Sequence, residues 1–192
     1  MNKTIKEVSS IQMGYAFRTR LDISACGNLS VIQMKDLHDD NTVHCDELVK
    51  VEMKSIKENH LVKKGDLVFR SRSLTTTSAI LLEDPGKAIV AAPLLRIRIQ
   101  RPGLVLPEYL NWYINQEDAQ RFLASRTEGT LQKMISTQAL GELIVSLPPL
   151  AKQKHIVALA MLSDREAFLL HELAIKRKNY ISMKLMQFAK GE

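Results

Sequence analysis

The sequence has no long hydrophobic run. Its longest apolar stretches, such as Ala88-Ile89-Val90-Ala91-Ala92, fall far short of the ~18 residues a membrane span needs, and Asn2-Lys3-Thr4 opens no signal-peptide apolar region. The expected location is the cytoplasm. Cysteine is scarce: Cys26 and Cys45 stand nineteen apart with no CxxC, which argues against a disulfide framework and a thiolate zinc site. Buried or incidental thiols are expected. His38, His44, His60, His155 and His171 form no HxxxH or HExxH pair, so neither metal nor cofactor is expected. Walker A, GxGxxG, GxSxG and Asn-Pro-Pro-Tyr patterns are also missing, which argues against a self-contained nucleotide enzyme or methyltransferase.

What is there suffices for a folded domain. The 192 residues are 45% hydrophobic, which excludes a disordered or collagen-like chain and suggests one globular domain plus an appendage. Lys and Arg number 27 against 21 Asp and Glu, a formal +6. Residues 148–192 hold eight of those bases (Lys152, Lys154, Arg165, Lys176, Arg177, Lys178, Lys184, Lys190) and four acids (Asp164, Glu166, Glu172, Glu192), hence +4. The first 147 residues keep +2 but concentrate bases at Lys63, Lys64, Arg70 and Arg72, and again at Lys87, Arg96, Arg98 and Arg101. Such patches suit a phosphate backbone, because each neutralised phosphate releases a counterion. A solvated basic surface is the alternative.

From Val31 to Arg101 the punctuation is short and β-like, with turns at Lys64-Gly65-Asp66 and Asp84-Pro85-Gly86. Leu95-Arg96-Ile97-Arg98-Ile99 alternates, which puts both arginines on one face of a strand: one face is core and the other is wet or occupied. After Pro102-Gly103 the period becomes helical, from Pro107 through Tyr109, Trp112 and Tyr113 to Phe122 and Leu123, and aromatics at that spacing are expected in the core. Ser136 is placed to cap a short turn through Leu140, and Leu143-Ile144-Val145 closes the domain as a strand before Pro148-Pro149.

Leu150 to about Phe188 contains no Pro or Gly. Ile156, Leu159, Leu162, Leu169, Leu170, Leu173, Ile181 and Leu185 recur at intervals near three or four, predicting one helix about 57 Å long. A helix of that length cannot bury its stripe on one compact domain, so a coiled coil or helical partner is expected. Glu166, Lys176 and Arg177 interrupt any single register, which points to a partner with matching polar groups rather than a plain leucine zipper. A hairpin folded at Ser163-Asp164 is the alternative.

One catalytic near miss exists. Asp40 or Asp46 with Glu52 and Lys54 could mimic the carboxylate-plus-lysine metal site of many nucleases, but Glu-x-Lys is a common triplet and a solvated edge is favoured.

Several segments occur together in a telling order: Ile11-Gln12-Met13-Gly14-Tyr15-Ala16-Phe17-Arg18, Val62-Lys63-Lys64-Gly65-Asp66-Leu67-Val68-Phe69, Leu106-Pro107-Glu108-Tyr109-Leu110, the Glu128-Gly129-Thr130 loop, and Leu147-Pro148-Pro149-Leu150-Ala151-Lys152-Gln153-Lys154-His155-Ile156. In this the chain resembles specificity (S) subunits of type I restriction-modification enzymes, departing at Ala151-Lys152, where the family commonly has an acid before the glutamine. The resemblance implies an α+β fold: residues 1–147 form a mixed α/β, β-rich DNA target-recognition domain, and residues 148–192 a long spacer helix that forms an antiparallel coiled coil. Family members usually carry two such domains and two helices, so the chain resembles a half-length form acting as a homodimer through residues 150–188 on a split DNA site. It implies a non-catalytic protein that recognises double-stranded DNA and positions methyltransferase (M) and restriction (R) subunits. The competing readings are a metal-dependent nuclease using Asp46, Glu52 and Lys54, and a helical adaptor that binds no DNA.

The expected DNA contacts are donors in predicted loops: Arg18 and Arg20 after Gly14; Arg70, Ser71, Arg72 and Ser73 after the Lys-Gly-Asp turn; and Thr130, Gln132 and Lys133 after Gly129. Arg suits guanine and Gln adenine, whereas Ser, Thr and Lys more often hold phosphates.

Overall fold

The computed structural model describes residues 1–17, 23–24, 26–72, 76–127 and 134–191. They fall into two compact units, Met1–Lys154 and His155–Glu192. In the first unit the strands are β1 (Asn2–Thr4), β2 (Ser9–Met13), β3 (Leu29–Ile32), β4 (Val49–Val51), β5 (Leu67–Arg70), β6 (Ser78–Ile80), β7 (Ala88–Val90), β8 (Leu94–Ile99) and β9 (Ile144–Ser146). The helices are α1 (Ile5–Val8), α2 (Pro107–Ile114), α3 (Glu117–Ser125), α4 (Thr137–Gly141) and α5 (Leu150–Lys190), the last running on into the second unit.

Three small sheets result. The largest has the order β2-β8-β5-β6, all antiparallel; the second, β4-β3-β7, contains one parallel pair, β3 with β7; and β1 pairs antiparallel with β9. Val68, Ala79 and Leu94 of the first sheet and Ile32, Ala88 and Val90 of the second share one buried cluster. The opposite side of the second sheet buries Val31, Ile89 and Val51 with Tyr15, Phe17 and Leu61 packed against them.

The alternation in β8 works as its pattern requires. Leu95 and Ile97 are fully buried, whereas Arg96 and Arg98 face a surface occupied by other parts of the chain. The helical period after Pro107 gives two helices rather than one. Asn115 turns its side chain to the edge of β6, accepting from the Ser78 N–H (2.9 Å) and donating to the Ser78 carbonyl (2.8 Å), and Gln116 is extended at the start of α3. Tyr109 is buried, its hydroxyl donating to the Ser146 carbonyl at 2.6 Å, while Trp112 and Tyr113 are half-buried. Ser136 caps α4 by accepting from the Ala139 N–H at 3.1 Å. Cys26 and Cys45 are free thiols.

The first unit runs past Pro148-Pro149, seven residues beyond the boundary expected at Leu147, because Gln153 is fully buried. Its amide accepts from the Leu106 N–H (3.0 Å) and donates to the carbonyls of Leu104 and Pro148 (2.8 Å each). This fixes the first turn of α5 to the loop that starts α2. α5 then continues unbroken for 41 residues, so no hairpin forms at Ser163-Asp164. Among the described residues no helix is long and apolar enough to cross a membrane.

Replacing Gln153 by Ala leaves a buried N–H and two buried carbonyls without partners, so unfolding free energy should fall by roughly 2–4 kcal/mol. Urea denaturation monitored by circular dichroism checks this, and a loss below about 1 kcal/mol would show that water replaces the amide freely.

Candidate nucleic-acid interface

One end of the β2-β8-β5-β6 sheet holds Arg70, Ser71 and Arg72, the expected contacts that lie among the described residues. Met13 lies opposite Leu95, Arg70 opposite Leu94, and Phe69 opposite Ser78, so the chain leaves β2 and β5 and enters β8 and β6 at the same end. The departing segments are tied together there. The Gly14 N–H donates to the Leu94 carbonyl (2.8 Å), the Tyr15 N–H to that of Val90 (2.7 Å), and the Ala92 N–H to that of Tyr15 (2.9 Å). A Cβ at Gly14 would sit 2.7 Å from the Ala91 carbonyl carbon, so only glycine allows this approach. Ser71 donates its hydroxyl to the Pro93 carbonyl, next to the cis Ala92-Pro93 bond, and its own carbonyl accepts from the Ile135 N–H (2.8 Å). Arg72 forms a β-bridge with Met134.

Of the nine expected DNA contacts, Arg18, Arg20, Ser73, Thr130, Gln132 and Lys133 lie outside the described residues. The other three are adjacent in sequence but differently placed. Arg70 is half-buried and donates through Nη2 to the carbonyls of Met34 (3.2 Å) and Leu37. Ser71 is fully buried on Pro93. Of the three only Arg72 is exposed, and among the described residues its side chain donates to the Met134 sulfur at 3.8 Å. The expectation that Arg70 and Ser71 present donors to a duplex thus meets a structure in which both spend them internally.

The two expected basic clusters also divide. Lys63 and Lys64 precede β5 whereas Arg70 ends it and Arg72 follows, so the two pairs occupy opposite ends of the strand. In the second cluster Arg98 chelates Asp66 (2.7 and 2.5 Å) and donates to the Leu61 carbonyl (2.8 Å), and its hydrogen bonds to the Asp66 carboxylate raise its already high pKa. Arg96 is buried on the carbonyls of Asn59 (2.8 Å) and Leu61 (3.1 Å) and on Gln12 Oε1 (2.7 Å). Burial first, and Arg98 second, lower its pKa. Neither guanidinium is free for phosphate.

The carboxylates do not converge. Asp40 accepts from the Thr42 N–H (2.9 Å) and hydroxyl (2.6 Å) and lies 3.5 Å from His44, while Glu52 accepts from Asn28 at 3.0 Å. Among the described residues no three His, Cys, Asp or Glu side chains are grouped to hold a metal ion.

A family model described as the type I restriction modification DNA specificity domain matches residues 1–176. The chain belongs to that family. No curated protein matches the chain. Among solved structures, the specificity-domain chain is similar to the HsdS subunit from Thermoanaerobacter tengcongensis, with a TM-score of 0.61, 15% identity, and 86% of this chain and 37% of that one covered. It is also similar to a chain from a structure of the complex assembly and conformational transition of the type I R-M system (TM-score 0.65, 17% identity, 88% and 39% covered). A third match is the type I restriction-modification system S subunit from M. genitalium (TM-score 0.57, 13% identity, 93% and 42% covered). The chain spans about two fifths of the length of these structures.

Two contributors to the specificity-domain site were missed in the sequence: Pro93, whose carbonyl holds Ser71, and Met134, which faces Arg72. Neither carries a donor, so donor-based reasoning had no signal for them.

The division among the arginines sets a stability contrast. Replacing Arg70 by Ala should cost about 2 kcal/mol, because two carbonyls lose a charged donor, whereas replacing Arg72 should stay within about 0.5 kcal/mol. Urea midpoints of the two variants measure it.

Proposed function

We propose that this chain is a non-catalytic, sequence-reading specificity subunit of a type I restriction-modification system, recognising one half of a split double-stranded DNA site. In this reading two copies associate through α5 and position methyltransferase and restriction subunits. The observation that carries the reading is the exposed Arg72, held where the strand ends, Gly14-Tyr15, Pro93 and Met134-Ile135 meet. Arg72 is the base reader, and Arg18, Arg20, Ser73, Thr130, Gln132 and Lys133 follow as contacts carried by the neighbouring sequence. Arg70 and Ser71 act beneath them as supports for Arg72. The homodimer rests on the exposed apolar residues of α5, among them Leu159, Leu162, Leu170 and Leu173. The helical-adaptor reading shares that surface but has no role for Arg72.

Selection of binding duplexes from a randomised pool, with the full chain as bait, tests this directly. Arg72→Ala should reduce discrimination at one base pair of the selected site by about 1–3 kcal/mol, while Lys133→Ala should weaken selected and random duplexes alike and lower the salt slope by about one. Equal loss on both duplexes for Arg72→Ala would remove it as the base reader. No salt-dependent affinity for any duplex would favour the adaptor.

Light scattering tests the association. The full chain should have the mass of a dimer and a version ending at Lys154, which retains Gln153, that of a monomer. Dimeric mass in the truncated form would move the contact away from α5.

A further inference from the structure

Arg72 does not stand alone at the sheet end. Ser71 and Ile135 are fully buried, and the Ile135 N–H donates to the Ser71 carbonyl at 2.8 Å. The next residue on one side, Arg72, is exposed, and the preceding residue on the other, Met134, is half-buried and bridges to it antiparallel. Residues directly opposite in an antiparallel pair project from one face, with Cβ atoms about 4.5–5.5 Å apart. Both side chains therefore leave the fold together, and their ends meet: Arg72 Nη2 lies 3.8 Å from the Met134 sulfur.

That contact leaves the guanidinium available. A thioether is a weak acceptor and engages one of the five N–H donors, so the fork keeps donors for a base edge. Met134 itself offers only a polarisable apolar end. In the major groove the O6 and N7 atoms of guanine suit an arginine, and the C5-methyl group of thymine is the feature that suits an apolar side chain. The 3.8 Å between the two side-chain ends is close to the ~3.4 Å rise between stacked base pairs. An arginine seated on a guanine can thus bring the thioether level with the neighbouring pair.

Resting on the assignment of Arg72 as base reader, we propose that Met134 is a second specificity-determining residue. Its thioether end packs on the C5-methyl group of a thymine in the base pair adjacent to the guanine that Arg72 reads. The two residues together select two adjacent base pairs instead of one.

Deleting that methyl group tests the assignment. In the duplex that the full chain selects from a randomised pool, the thymine beside the guanine sensed by Arg72→Ala is replaced by uracil, which keeps the pairing and the O4 acceptor. Affinity read by fluorescence anisotropy should fall about fourfold for the starting protein, the effect of losing one buried methyl contact. Met134→Ala should bind the thymine and uracil duplexes within about 1.5-fold of each other, whereas Met134→Leu, which keeps an apolar end, should retain the preference. If the sulfur only steadies Arg72, Met134→Ala lowers discrimination at the guanine and leaves the thymine-to-uracil ratio unchanged, which overturns the proposal. Equal binding of both duplexes by the starting protein, or a selected site without thymine beside that guanine, overturns it as well, and in each case Arg72 remains the base reader. Equal loss on selected and random duplexes for Arg72→Ala, or a chain that selects no duplex, removes both assignments.

Discussion

The first unit is organised around one buried carboxylate. Asp66 is 1% exposed, and an ionised group at that depth persists only with its charge and lone pairs met. Arg98 from β8 chelates it, the Lys63 N–H closes the turn onto it at 2.9 Å, and the same guanidinium continues to the Leu61 carbonyl. Arg96 takes the Leu61 carbonyl from the other side and adds Asn59 and Gln12. Leu61 in turn bridges to Ile89, and the Val62 N–H donates to the Ala88 carbonyl. The Asp66 pair thereby joins the turn before β5, the middle of β8, and the connection that links the first sheet to the second.

That network alters how the charge of the chain should be understood. A formal sum counts Arg70, Arg96 and Arg98 as available for a polyanion, yet all three donate to backbone carbonyls within the fold. A guanidinium suits this work because its planar fork serves several acceptors at once and stays charged when partly buried. Among the described residues Arg72 is the exposed arginine at this sheet end, so position matters more there than the formal total.

The family-like motifs were legible because they meet backbone and packing requirements. Gly14 permits contact with Ala91; Gly65, at φ +83°, makes the turn that aims Asp66 inward; Pro107 opens α2; and Gln153 closes the domain onto α5. Strand alternation, the Ser136 cap and the long helix followed equally from local sequence. What escaped was decided by distant partners. Asn115 ends α2 because it serves Ser78, and Arg70 differs from Arg72 only because the carbonyls of Met34 and Leu37 lie beside it. No local pattern separates two arginines two residues apart. The same logic explains why the fold can be read more fully than the side-chain partners: the motifs describe the frame, while distant partners decide which donors stay exposed.

α5 presents the reverse case, in which apparent irregularity carries the information. A stripe of leucines alone is compatible with parallel and antiparallel partners and with registers a heptad apart, because each brings leucine to leucine. Glu166, Arg177 and Lys184 restrict that choice, because each charge that is covered needs an opposite one. A parallel copy stacks each charge on its like, whereas an antiparallel copy brings Glu166 to Arg177 in one register and to Lys184 one heptad away. A charged residue in a seam lowers the stability of every pairing, but it lowers the wrong ones more, which is how a polar interruption specifies a partner. Apolar and charged positions thus do different work along one helix, much as Arg70 is spent on the carbonyls of Met34 and Leu37 while Arg72 is exposed at the sheet end.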